Sequence, residues 1–286
     1  MNAAASVEEF APAKVNLSLK VLGRRSDGYH QLESLVVFAR AGDRLTAHAA
    51  ADLSLDISGA FGAMLAGEGD NLVLRAGRLL ASELGREAGA HLLLEKNLPV
   101  ASGIGGGSAD AAATLRALKR LWDADVSEEQ LAALALSLGA DVPVCLDARP
   151  AFMHGRGEQI ARLEALPHFA LLLVNPGVEV STACVFKTLA APIVAELPTA
   201  SEAPRFSTLD ALIGWLEANG NDLEGPAREI APVIGEVIAA IGATRGCRLA
   251  RMSGSGATCF GIYASEDEAR GAADAIARPG WWLAAA

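Results

Sequence analysis

Pro99-Val100-Ala101-Ser102-Gly103-Ile104-Gly105-Gly106-Gly107-Ser108-Ala109-Asp110 places four glycines within five residues. A hydrophobic run, Leu92 to Leu94, lies just before it. After Ala109, Leu115, Leu118, Leu121 and Trp122 recur at helical spacing and predict one apolar helix face. Ser108 is placed to cap that helix, because its hydroxyl can accept a backbone N–H of the first turn. Two readings fit the loop. It is either a flexible strand-to-helix turn or a phosphate seat, in which bare N–H groups meet the positive end of a helix dipole. Clustered glycines weaken folding unless something offsets their entropy, which favours the second. The loop is not a P-loop, since G-x-x-x-x-G-K-[ST] is absent. Nor is it the dinucleotide fingerprint, because Ser108 stands where the last glycine of G-x-G-x-x-G belongs. The His-Arg-Asp and Asp-Phe-Gly set of protein kinases is also missing.

The 286 residues suit one large domain or two ordinary ones. With 51% hydrophobic and 20% charged residues, the composition is that of a soluble globular protein. A net charge of −10 argues against non-specific nucleic-acid binding, which requires a basic face. It also means that a polyanionic ligand must be held by local devices such as helix ends, single lysines and Mg²⁺. Cys145, Cys184, Cys247 and Cys259 show no C-x-x-C spacing, so zinc is not expected and reduced thiols of a cytoplasmic protein are. Met1 to Pro12 carries Glu8 and Glu9 and does not read as a signal peptide. No uncharged apolar run reaches the ~20 residues that span a bilayer, so no membrane association is expected.

Taken in order, Val15 to Leu22 alternates apolar and polar and predicts a half-buried strand, with Lys14 at its start. Gly23 to Gly28 is turn chemistry, and a second strand is expected near Leu35 to Phe38. Leu45 to Ile57 reads as further strand and Gly59 to Gly69 as a loop. A helix follows to about Leu84, with Asp70 as its cap. Ser127-Glu-Glu-Gln130 forms a capping box for a helix to about Leu138. Asp141, two residues before Pro143, suits a turn, where an aspartate ordinarily caps backbone. Leu171 to Val174 predicts a buried strand, Pro192 to Pro204 an exposed connection, and Glu266 to Ala277 a terminal amphipathic helix. The boundary is placed near residue 155, giving an α+β chain of two domains, 1–155 and 156–286.

The glycine loop resembles the second motif of the galactokinase, homoserine kinase, mevalonate kinase and phosphomevalonate kinase superfamily, with Ile104 for the usual Leu. Pro12-Ala13-Lys14-Val15-Asn16-Leu17, followed by Arg25-Ser26-Asp27-Gly28-Tyr29-His30, resembles the first motif of one family within it, the 4-diphosphocytidyl-2-C-methyl-D-erythritol kinases. Gly139-Ala140-Asp141-Val142-Pro143 matches the superfamily's catalytic segment, and Arg251 to Gly261 resembles its third motif. A tight turn between strands would use the same Gly-Ser-Gly. The resemblance covers nearly the whole length.

The resemblance implies an N-terminal domain like ribosomal protein S5, with a left-handed β-α-β unit, and a C-terminal ferredoxin-like domain. It implies transfer of the ATP γ-phosphoryl group to the tertiary 2-hydroxyl of a cytidylylated methylerythritol, a small-molecule substrate, with Mg²⁺ carried by the nucleotide. Pro99 to Ala109 would hold the ATP phosphates, and Asn71 and Lys96 would lie near its base. Asp141 would accept the hydroxyl proton, and Lys14 would keep Asp141 ionised and stabilise the developing charge. Asn16, Tyr29, His30 and Phe186 would bind the substrate, with Tyr29 and Phe186 flanking the cytosine and His30 at its polar edge. Asp110 would point away from the triphosphate or help to hold the metal. The chain would act as a monomer or homodimer. Another alcohol acceptor, or a non-catalytic nucleotide sensor, are the alternatives. The Asp-Gly-Tyr-His element argues against the first, and the presence of Lys14 and Asp141 against the second.

Overall fold

The computed structural model describes residues 6–26, 28–65, 71–85, 87, 89–194 and 201–286. The strands are β1 (Ser6–Asn16), β2 (Lys20–Arg24), β3 (His30–Ala49), β4 (Leu53–Ser58), β5 (Ala90–Glu95), β6 (Ala151–Gly155), β7 (Gln159–Arg162), β8 (Ala170–Asn175), β9 (Leu249–Met252), β10 (Cys259–Tyr263) and β11 (Trp282–Ala285). The helices are α1 (Leu72–Glu83), α2 (Gly106–Leu121), α3 (Glu128–Leu138), α4 (Val142–Cys145), α5 (Thr182–Leu189), α6 (Leu209–Ala218), α7 (Glu224–Ile230), α8 (Val233–Gly242) and α9 (Glu266–Ile276).

Two compact units result, and both are discontinuous in sequence. One contains residues up to Ala13, then Gly42–Val100 and Gly105–Ala148; the other contains Lys14–Ala41, Ala101–Ile104 and Arg149–Ala286. A single cut near residue 155 does not reproduce this division. The reason lies in β3, whose 20 residues serve both units. Its Arg44–Ala49 half pairs antiparallel with β5, while its Leu32–Val36 portion pairs with β6.

In the first unit, β4 pairs in parallel with β5, and α1 joins them as a β-α-β crossover. The expected strand from Leu45 to Ile57 is therefore two strands. The chain turns at 50–52, because β4 must reach the edge of β5 that β3 leaves open. Helix α2 packs on α1, α3 and α4 and buries Ala109, Ala111, Ala112, Ala113, Leu115 and Leu118. That run of alanines lets neighbouring helices approach closely. The capping box of Ser127 and Gln130 is present at the start of α3. Asp70 lies outside the described residues. The cap of α1 is Asn71, whose Oδ1 accepts from the Val73 amide at 2.8 Å.

In the second unit, β8 to β11 form an antiparallel sheet in the order β11-β8-β10-β9. Strand β8 is buried throughout, and α8 and α9 pack on the sheet. Helix α9 is not the end of the fold, as its sequence position suggests, because β11 follows it and pairs with β8. Residues 195–200 of the proline-rich connection lie outside the described residues; Ile193, just before them, is exposed.

The segment Val15 to Leu22 is not one half-buried strand. β1 ends at Asn16 and β2 starts at Lys20. The polar face is also covered: Asn16 and Ser18 are only 4% and 2% exposed. Both are satisfied internally. Asn16 Nδ2 donates to Ser34 Oγ at 2.7 Å, Ser34 Oγ donates to the Ser18 carbonyl at 2.6 Å, and the Leu35 amide donates to Ser18 Oγ at 3.2 Å. Alternation cannot tell a solvated face from a hydrogen-bonded one.

Candidate active site

Three segments singled out in the sequence meet around one serine of the second unit. Ser253 Oγ accepts from the Asn16 amide and donates to the Gly103 carbonyl, each at 3.0 Å. The Lys14 amide donates to the Ile104 carbonyl at 2.9 Å, and the Thr258 amide to the Ser102 carbonyl at 3.0 Å. Pro12-Ala-Lys-Val-Asn, the glycine loop and Ser253 to Thr258 are thus tied together through backbone. The approach requires glycine. At Gly103, φ is +76° and a Cβ would stand 2.6 Å from the Ser253 carbonyl oxygen. At Gly254, φ is +55° and a Cβ would stand 2.8 Å from the Gly103 carbonyl oxygen. Neither position admits a side chain. Beneath this junction, buried Asn221 donates through Nδ2 to the carbonyls of Met252 and Gly254, at 2.9 and 2.8 Å. Sequence reading missed Ser253 as the hub and Asn221 as its support; the Ser-Gly-Ser-Gly run was the available signal.

The two amides of Lys14 and Asn16 are fixed by these bonds, and so are the side chains they carry. The buried Lys14 ammonium donates to Asn16 Oδ1 at 3.1 Å. Burial with a hydrogen-bonded amide acceptor sets Lys14 apart from the solvated surface lysine its sequence position suggests.

The remainder of the glycine loop belongs to the first unit. Gly105, not Ser108, stands at the N-cap of α2, with φ +63° and no side-chain cap. Ser108 is the third residue of the helix and is half-buried. Leaving the cap without a side chain keeps the first-turn amides of Gly106, Gly107 and Ser108 unshielded, as an anion site requires. Asp110 starts the second turn and is turned inward. It is 2% exposed, and its Oδ2 takes a 2.8 Å bond from the Lys96 ammonium. It is therefore turned toward Lys96 and away from the open end of the helix.

Lys96 is equally buried and donates also to Asp43 Oδ2. Burial works against its charge, but Asp110 and Asp43 outweigh that and hold its pKa above the ordinary lysine value. The ammonium is thus engaged by two carboxylates. Asn71 is buried, with its carbonyl oxygen committed to the cap of α1.

Asp141 occupies the N-cap position of α4, with Pro143 at the second helical residue. The short helix packs on α2 and α3, which fixes the backbone that carries Asp141. Its carboxylate makes no cap bond to its own helix. An aspartate in that position ordinarily does so, and its not doing so leaves the carboxylate directed elsewhere.

The substrate-binding expectations fall in the second unit. His30 stacks on Phe186 with ring centroids 4.5 Å apart and 23° between planes. Phe186 rides on α5, whose cap is Ser181. Burial, and then Arg24, hold His30 below the ordinary histidine pKa, so its ring is neutral near pH 7, with one donor and one acceptor nitrogen. Tyr29 is 55% exposed, and the Arg156 guanidinium lies 4.7 Å from its ring centroid. Thus Phe186 faces His30. Asp27 of the same motif lies outside the described residues.

Comparison with known proteins bears on the whole chain. Residues 71–154 match the GHMP kinases N terminal domain, and residues 199–280 match the GHMP kinases C terminal pattern. The chain is 60% identical over 279 residues, 97% of this chain and 96% of the relative, to a 4-diphosphocytidyl-2-C-methyl-D-erythritol kinase of Parvibaculum lavamentivorans. It is 51% identical to the protein of that name from Rhizobium etli, covering 98% and 94% of the two chains. A crystal structure of 4-(cytidine 5'-diphospho)-2C-methyl-D-erythritol kinase superposes with a TM-score of 0.75 at 36% identity, covering 98% of each chain. A homoserine kinase from Cytophaga hutchinsonii shares the fold, with a TM-score of 0.70 at 18% identity.

Proposed function

Because the chain belongs to the 4-diphosphocytidyl-2-C-methyl-D-erythritol kinase family of the GHMP kinases, we propose that it transfers the γ-phosphoryl group of ATP to the 2-hydroxyl of 4-diphosphocytidyl-2-C-methyl-D-erythritol. The step belongs to non-mevalonate isoprenoid precursor biosynthesis. The observation that carries the reading is the junction at Ser253, whose hydroxyl, with two main-chain bonds beside it, holds together the lysine segment, the glycine loop and the third motif.

Phosphoryl transfer is mostly positioning and electrostatic stabilisation, so the protein's part is to hold groups still. Amides at the start of α2 receive the triphosphate. Asp141 accepts the hydroxyl proton, which moves late because a carboxylate is too weak a base to ionise an alcohol beforehand. Lys14 stabilises the charge that develops on the transferred group. Asp110 is engaged with Lys96, and the first-turn groups of α2 are neutral donors. Mg²⁺ is therefore expected to arrive on the phosphate oxygens of the nucleotide, where it neutralises their charge.

The order β11-β8-β10-β9, fourth-first-third-second, supports a ferredoxin-like C-terminal half. The parallel β4-α1-β5 unit supports an S5-like N-terminal half; the left-handed crossover is proposed from the family resemblance. A cytoplasmic enzyme acting as a monomer or homodimer, without nucleic-acid or membrane partners, completes the proposal.

The cytidine end distinguishes this enzyme from its relatives. Cytosine stacks on Tyr29, with the His30–Phe186 pair as the second wall and the neutral imidazole at the base edge. Stacking is worth roughly 1–3 kcal/mol per base and hardly discriminates among bases, so the edge contacts set selectivity. Tyr29→Ala is expected to raise KM for the cytidylylated substrate about 10-fold or more, with KM for ATP unchanged. Steady-state kinetics with each substrate varied in turn check this; equal effects on both constants would remove Tyr29 from the cytidine site.

A further inference from the structure

Asp43, Lys96 and Asp110 lie in the first unit and carry no step of the chemistry above. Asp43 is fully buried on β3. Its Oδ1 accepts from the amides of Asn97 and Leu98 at 2.6 and 2.8 Å, which fixes the chain where β5 leads into the glycine loop. Its Oδ2 takes the Lys96 ammonium, which also bonds Asp110 on α2. A Cβ on Gly106 would stand 3.0 Å from Lys96 Nζ, so the first turn of α2 rests directly on the ammonium. Asp110 Oδ1 is buried without a hydrogen-bond partner. One cation thus serves two carboxylates, and the cluster carries one excess negative charge when both are ionised.

We infer that Asp43, Lys96 and Asp110 are positioning residues that fix both stems of the glycine loop, and that the excess charge on Asp110 opposes a polyphosphate bound at the start of α2. The inference rests on the phosphate-binding reading of the loop. The charged groups acting most strongly on Asp110 are Lys96, just past β5, and Asp43, on β3. Within α2, the Thr114 hydroxyl bonds the Asp110 carbonyl. Burial pushes the Asp110 carboxyl up to about 7, Lys96 pulling against it and Asp43 adding to it. The folded value exceeds the unfolded one. The contribution of Asp110 to stability is therefore fully present below the unfolded pKa and is lost as pH rises toward 7.

Asp110→Asn tests this, since it keeps an acceptor for Lys96 and removes the excess charge. The melting temperature of the variant should gain on that of the wild type as pH rises from 5 to 7.5. At pH 8 its KM for ATP should be about 3–10-fold lower than that of the wild type. At pH 6 the two should agree within about twofold, because Asp110 is then largely protonated. The titration of ATP itself affects both proteins alike. Turnover and KM for the alcohol should stay unchanged. A stability gain with no pH-dependent difference in KM for ATP would overturn the inference. Unchanged stability at both pH values would overturn it too. Loss of the loop reading is separable: ATP binding would then survive Gly105→Val as well.

Discussion

Asp141→Asn lowers kcat by about 10²–10⁴, the usual worth of a positioned acid–base group, and leaves KM for ATP nearly unchanged. Asparagine fills the same volume, so the backbone before Val142-Pro143 stays in place. Helix α4 also loses nothing, because the Asp141 side chain makes no cap bond to it. The substitution therefore removes proton acceptance and one negative charge while keeping the size and shape of the side chain. Steady-state ADP release measures the effect. A variant that turns over at nearly the wild-type rate would take Asp141 out of the mechanism, and the Gly-Ala-Asp-Val-Pro segment would revert to a turn.

The second large effect concerns Gly105. Its φ of +63° lies in the left-handed region, which costs a non-glycine residue about 1–2 kcal/mol and a β-branched one more. Gly105→Val forces the N-cap of α2 out of that conformation and sets two methyl groups beside the first-turn amides. A loss of ATP affinity of about 100-fold or more is expected, because close backbone approach to phosphate is what the glycines permit. The domain core lies elsewhere, among the buried alanines and leucines of α2, so circular dichroism should still show a folded protein. Calorimetry that finds wild-type ATP affinity in a folded variant would return the loop to a mere turn.

What was legible in the sequence is local. The glycine cluster and the capping box of α3 are each written within five residues. Helix α2 was legible for the same reason, since its leucines recur at one period. What escaped is non-local. Asp43 sits in Gly42-Asp43-Arg44, which reads as a solvated stretch, yet it is buried against Lys96, 53 positions away. Ser253 meets Asn16 across 237 positions. Asn16 and Ser18 look solvated because their partners, Ser34 and Ser253, belong to other segments. β11 was missed because α9 looks like an ending, and only β8, buried along its whole length, shows that an edge needs covering. Ser108 was misplaced as a cap because side-chain chemistry favours serine there, whereas a glycine in the left-handed conformation keeps the helix end bare.

The measurement that bears most directly on the assignment is ADP release with ATP and each of two alcohols, 4-diphosphocytidyl-2-C-methyl-D-erythritol and methylerythritol phosphate without its cytidylyl group. On the proposed reading, Tyr29, His30 and Phe186 contribute only when the cytidine is present, so kcat/KM for the cytidylylated compound should exceed that for the bare sugar phosphate by about 100-fold or more. Equal turnover of the two would contradict the substrate assignment while leaving a kinase of the same fold, and no ADP release with either would contradict the activity itself.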